Sequence, residues 1–247
     1  MVVQTYNSTG ELISEIYKII DDEPQIFLDY DGTLVPIVND PIGCYFDSEL
    51  TYIISEINRR FEMYIITGRS LNDIRKCIGN INIIALHGAI FYISNEEIKY
   101  PGFDKFLKIC NDIFLNYKYL EDKYKGLRIY NKNGGVLFHL GNVKPNERNH
   151  IISLVDEIAI NNNLESYHGI NIVEIRFPRI NKGIAIQLIR NKNRPVIIFG
   201  DDLTDEDSFL ENMDALTIKI GPGETNAKFR LRNYIDVRNI LINLINI

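Results

Sequence analysis

Short apolar runs that stop at small or acidic residues alternate with longer amphipathic stretches along most of the chain. Residues 26–28, 63–66, 81–85, 195–199 and 215–220 are short and almost uniformly apolar, which predicts the buried strands of a parallel sheet. Between them run helical patterns. Leu50, Ile53, Ile54 and Ile57 recur at helical spacing behind Asp47 or Ser48, and Ser70 opens another helix. Lys182 starts a helix carrying Ile184, Ile186, Leu188 and Ile189. Residues 8–20 predict a leading helix capped by Ser8 or Thr9, residues 234–237 a last short strand, and residues 238–246 a closing helix.

The pattern changes in the middle. Residues 91–93 and 98–100 flank a polar turn and predict a hairpin, and Pro101-Gly102 follows as a strong break. Next comes a predicted helix over 103–123, and then strands 127–130 and 136–140 around Asn131-Lys132-Asn133-Gly134-Gly135. A helix over 145–161 precedes strands 164–167 and 172–177. That order, helix–strand–strand–helix–strand–strand, predicts an α+β layer with two helices on one sheet face. The βα alternation resumes after Pro178. The expected organisation is therefore an α/β core formed by residues 1–101 and 179–247, with an inserted α+β module at 102–178.

Composition narrows the function classes. The 247 residues are 45% hydrophobic and 24% charged, with a net charge of −6 and an isoelectric point near 5.3. An acidic balance argues against nucleic-acid and anionic-membrane binding. No apolar run suits a membrane span or a signal peptide, so a cytoplasmic location is expected. Cys44, Cys77 and Cys110 are widely spaced and are expected as reduced thiols.

The candidate chemistry sits at strand ends. Asp29 and Asp31 follow the first strand at a spacing that lets both lean into the crevice where open α/β sheets bind ligands. Thr67, Gly68 and Arg69 follow the second strand at a helix start, a place suited to phosphate oxygens. Lys182 opens a helix as a compact cation. Asp201, Asp202 and Asp205 end a later strand. Phosphate-ester cleavage needs a nucleophile, a proton donor, donors for the developing charge and a cation between carboxylate and phosphate. Asp29 is read as nucleophile and Asp31 as proton donor, with Thr67 and Lys182 holding phosphate. Asp29, Asp31, Asp201 and Asp205 are the carboxylates available to Mg²⁺.

Asp29-Tyr30-Asp31-Gly32-Thr33-Leu34, Thr67-Gly68-Arg69, Lys182 and Gly200-Asp201-Asp202-Leu203-Thr204-Asp205 occur in the order that resembles the haloacid dehalogenase (HAD) superfamily of phosphotransferases. The resemblance implies a Rossmann-like core and, from the inserted α+β module, a type-2B cap. Ile66-Thr67-Gly68-Arg69, His87-Gly88-Ala89, Val173-Glu174-Ile175-Arg176 and Asn181-Lys182-Gly183 look like trehalose-6-phosphate phosphatases, and archaeal members of that kind share Gly126-Leu127-Arg128-Ile129-Tyr130. This implies a Mg²⁺-dependent phosphatase that releases trehalose through a phospho-aspartate, acts on a small sugar phosphate and has a possible association with the trehalose-6-phosphate synthase. Gly68, Arg69 and Asp202 are then expected near substrate, and Arg128, Lys132, His139, Glu174 and Arg176 of the inserted module near sugar hydroxyls. The pattern departs from the family at Leu86, at Leu140-Gly141 and at Phe177. Those departures leave room for another glycosyl phosphate (sucrose, mannosylglycerate or glucosylglycerate phosphate). A non-catalytic sugar-phosphate sensor or synthase partner is a separate alternative, against which the intact Asp29/Asp31 pair argues.

Overall fold

A computed structural model of the protein describes residues 6–37, 43, 45 and 47–246. The chain divides into two compact units, Met1–Ile98 with Ile180–Ile247, and Lys99–Arg179.

The first unit carries α1 (Thr9–Tyr17), β1 (Gln25–Leu28), α2 (Ser48–Arg60), β2 (Met63–Ile66), α3 (Leu71–Ile78), β3 (Asn82–Ala85), β4 (Ile90–Ile93) and β5 (Glu96–Lys99). The second carries α4 (Phe103–Tyr117), α5 (Leu120–Lys123), β6 (Arg128–Asn131), β7 (Gly135–His139), α6 (Pro145–Asn161), β8 (Ser166–Gly169) and β9 (Ile172–Arg176). The first resumes with α7 (Lys182–Ile189), β10 (Val196–Gly200), α8 (Leu203–Glu211), β11 (Leu216–Ile220), β12 (Phe229–Leu231) and α9 (Tyr234–Ile245).

In the first unit the strand order is β12-β11-β10-β1-β2-β3-β4-β5. Pairing is parallel from β12 to β3, and β4 lies antiparallel to β3. β1 and β10 are fully buried neighbours, and the chain leaves them in opposite directions, to β2 on one side and β11 on the other. Such a switch point opens a crevice beyond the strands' carboxyl ends, because the connecting loops diverge there. Every core motif read from the sequence lies at that end of a strand or at the start of α7.

In the second unit four strands in the order β6-β7-β9-β8 are all antiparallel. Ile129, Val136, Phe138, Val173 and Ile175 are buried on one face, with α4 packed along β6 and β7 and α6 along β8 and β9. Register and alternation put Arg128, His139, Glu174 and Arg176 together on the other face. Phe177 belongs to the core of this unit, its ring 5.2 Å from Phe106 and 5.7 Å from Tyr100.

Several expectations need correction. Residues 234–237 are helix, because Asn233 accepts from the N–H groups of Ile235 and Asp236 and starts α9 there. The last strand is instead β12, which extends the parallel sheet beside β11. The helix expected over 103–123 breaks after Tyr117. There Lys118 donates to the Ile129 carbonyl and Glu121 accepts from the Ile129 N–H, tying the turn to β6. Cys77 is disulfide-bonded while Cys110 is a buried free thiol. Wide sequence spacing sets no limit on spatial approach, and a disulfide needs only nearby Cβ atoms. The expectation for Cys44 lies outside the described residues. Among the described residues no helix is long and apolar enough to cross a membrane.

Candidate functional site

β1 delivers Asp29, almost fully buried, with its N–H bonded to the Phe199 carbonyl of β10. Asn181 caps α7 through the Ile184 N–H, which places Lys182 at the first helical position. The Lys182 ammonium, 2% exposed, donates to Asp29 Oδ1 and to Asp205 Oδ1, both at 2.7 Å. Asp205 is held in turn as the third residue of α8, its Oδ2 accepting from the N–H groups of Asp201 and Asp202. Asp202 caps the same helix, accepting from Thr204 and Asp205.

Carboxylate oxygens of Asp29, Asp201 and Asp205 lie within 4.8 Å of one another. Three negative charges so close and so buried are unfavourable, and the proton affinities record it. Burial drives Asp29 well above the ordinary carboxylate range, Lys182 opposes the rise, and Asp201 and Asp202 add to it. Burial and the neighbouring Asp205 and Asp202 push Asp201 to about 8. Asp205 is raised the same way, mainly by burial against the opposing Lys182. Burial works against the Lys182 charge, yet Asp205 and Asp29 raise it well above its usual value, so it is a fixed cation. Asp202 falls below the usual range, because Lys182 and its hydrogen bonds from α8 outweigh burial. A set of hard oxygen donors with surplus negative charge fits a divalent cation such as Mg²⁺.

These shifts carry a pH dependence for the metal-free protein. Asp201, Asp29 and Asp205 hold protons in the folded state that the unfolded chain releases near pH 4. Their contribution to stability is complete below about pH 4 and is lost as pH rises towards the folded values. Denaturant midpoints measured in chelator are therefore expected to fall between about pH 5 and about pH 9, and added Mg²⁺ to flatten the fall. A midpoint rising over that window would contradict these environments.

Asp31 stands apart from the acidic cluster. Arg69 grips its two oxygens at 2.6 and 2.7 Å, and donates a further bond to the Gly43 carbonyl at 2.8 Å. The Arg69 guanidinium also lies over the Tyr30 ring. The buried Thr67 hydroxyl accepts from the Arg69 N–H, and Gly68 is required because a Cβ there would meet the His87 ring at 2.5 Å. Thr67 and Gly68 follow the carboxyl end of β2 and Asp202 that of β10, the two strands flanking β1, whereas Arg69 is engaged by Asp31.

The remaining expected residues lie in the second unit. Lys132 pairs with Glu174 at 2.6 Å, both largely buried, and Arg176 stacks on Tyr167 at 4.2 Å. Arg128 donates to the Leu127 carbonyl, and the His139 ring folds over Gly141.

Two backbone features of the site fall within motifs quoted above, yet their geometry left no mark in the sequence. Leu86 and His87 are both left-handed, with φ of 50° and 57°, and their N–H groups bond the carbonyls of Arg69 and Thr67. Such strain is held where the surroundings over-determine it. Here the turn braces the Thr67–Arg69 segment. The second feature is Gly183, where a Cβ would sit 2.2 Å from the Asp207 carbonyl, so α7 and α8 pack backbone to backbone. That contact sets the reach of Lys182 to Asp205. Gly183→Ala is expected to cost about 1–3 kcal/mol by overpacking, read by chemical denaturation.

The trehalose-phosphatase family pattern matches residues 27–233. The chain is 45% identical over 217 residues to a trehalose-6-phosphate phosphatase-related protein of Thermoplasma acidophilum, covering 87% of this chain and 94% of that one. It is 29% identical to the bifunctional trehalose-6-phosphate synthase/phosphatase of Thermoproteus tenax, of which it spans 31%. A crystal structure of a trehalose-6-phosphate phosphatase-related protein superposes with a TM-score of 0.86 at 43% identity, over 90% of this chain and 97% of that one. The chain belongs to the trehalose-phosphatase family and is a phosphatase.

Proposed function

We propose that the protein hydrolyses a sugar phosphate, with trehalose 6-phosphate as the preferred substrate, through a phospho-aspartate on Asp29. The observation that carries this reading is the buried Lys182 bridging Asp29 and Asp205 within a three-carboxylate cluster. It orients Asp29 and leaves a cation beside the incoming phosphate.

In this reading the Asp29 carboxylate attacks phosphorus, and the bond to the sugar oxygen breaks. Asp31 gives its proton to that leaving oxygen. Asp31, now a carboxylate, takes a proton from the water that attacks phospho-Asp29, and free phosphate leaves with Asp29 restored. Because Arg69 holds both Asp31 oxygens, this proton transfer requires the pair to open. Thr67 and Lys182 donate to the phosphoryl oxygens. Asp29, Asp201 and Asp205 would hold Mg²⁺, and Asp31 would add an oxygen only on release from Arg69. When bound, the ion supplies the positive charge that lets a carboxylate approach a phosphate. Arg128, Lys132, His139, Glu174 and Arg176 are proposed to select the sugar, and Gly68, Arg69 and Asp202 to line the phosphate end.

An association with a trehalose-6-phosphate synthase is part of the proposal, supported by the fused Thermoproteus tenax protein. The test of function is Mg²⁺-dependent phosphate release from a panel of sugar phosphates. Trehalose 6-phosphate cleaved far faster than glucose 6-phosphate, sucrose 6-phosphate and mannosylglycerate phosphate is the expected result. Equal turnover across the panel would discard that substrate.

A further inference from the structure

We propose that Lys219 is a positioning residue for the acidic cluster, fixing Asp201 at its carbonyl while Asp205 holds its N–H. In the sequence it is the one charged residue of strand β11, whose other polar residue is Thr217. β11 pairs in parallel with β10 so that Lys219 stands opposite Gly200, the last residue of β10 before the chain turns out as Asp201. The Lys219 side chain is buried, and its ammonium donates to the Asp201 carbonyl. The N–H of Asp201 donates to Asp205 Oδ2 at 3.0 Å. Its carboxylate lies against Gly32, where a Cβ would sit 2.1 Å from Oδ2. Asp201 is therefore held at its N–H, its carbonyl and its side chain, each by a different element.

Burying a lysine in a strand paired on both sides is costly, and a neutral donor could also satisfy a carbonyl. The charge has a second use. Four aspartates, Asp29, Asp201, Asp202 and Asp205, are met by two lysines, Lys182 and Lys219, and this formal surplus of two negative charges is what one divalent cation cancels. The two lysines divide the work. Lys182 binds the carboxylates themselves, and Lys219 holds the backbone that presents one of them.

This inference rests on the divalent-cation reading of the cluster. It is tested by calorimetric Mg²⁺ titration of the chelator-stripped protein beside Lys219→Met and Lys219→Arg, with thermal unfolding in chelator to confirm that each variant folds. Losing an outer support of a metal site typically weakens affinity about 10–100-fold, and that is the expected rise in Kd for Lys219→Met. Lys219→Arg keeps a charged donor and is expected to stay nearer the wild type. Removing a repelling cation alone would tighten Mg²⁺ binding, so unchanged or tighter binding by Lys219→Met overturns the role. If Lys219→Met does not fold, Lys219→Ala, which also lacks a donor, takes its place beside Lys219→Arg, and equal affinities of those two overturn the role. Absence of any Mg²⁺ heat in the wild type would overturn the cation reading itself, and this role with it.

Discussion

Asp29→Asn is expected to reduce phosphate release by at least about 10⁴-fold while leaving the protein folded. An amide cannot attack phosphorus as a carboxylate does, so the loss should appear in kcat with every substrate. The substitution removes one of three crowded carboxylates, and burial already drives Asp29 towards its neutral form. An amide of the same shape keeps an oxygen for Lys182, so stability in chelator should hold or rise, most clearly at high pH. Assay of phosphate release together with urea unfolding separates the two effects. A variant that lost activity only through unfolding would count against the nucleophile assignment.

Lys182→Met is the second large effect, with the opposite sign on stability. It removes the single ammonium that bonds both Asp29 and Asp205 at 2.7 Å. Breaking a buried pair by deleting one partner typically costs about 3–5 kcal/mol, because the remaining charge is left uncompensated. Here the remaining groups are carboxylates that can take up protons. The cost should therefore be largest near about pH 8 and shrink near about pH 5, where protonation relieves it. Turnover should fall at all pH values, since the phosphate loses a donor. A pH-independent stability loss would mean that the ammonium acts by filling space and not through its charge.

The fold was legible wherever local pattern and tertiary role coincide. β2 is a short apolar run buried on both faces, and α7 begins at Lys182 because Asn181 caps it through the Ile184 N–H. The two carboxylates after β1, the threonine after β2 and the aspartates after β10 were readable because parallel sheets bring carboxyl ends together. Residues 234–237 misled because Tyr234, Ile235 and Val237 favour strands by propensity, while the cap at Asn233 and burial of Val237, Ile240, Leu241 and Leu244 decide for helix. The Arg69–Asp31 pair joins residues 38 apart and leaves no local mark. Lys219 was hidden for the same reason: its partner carbonyl lies on a neighbouring strand's turn, which no periodicity encodes. Phe177, seen first as a departure from the family pattern, is explained by packing on Phe103, Phe106 and Tyr100.

The most direct test of the central claim is a crystal structure with Mg²⁺ and beryllium fluoride, which mimics a phosphoryl group on a carboxylate. The account predicts the fluoride adduct on the Asp29 carboxylate, within hydrogen-bond reach of Lys182 and Thr67, and the cation among Asp29, Asp201 and Asp205. An adduct on Asp31, or a cation bound away from those three aspartates, would contradict it.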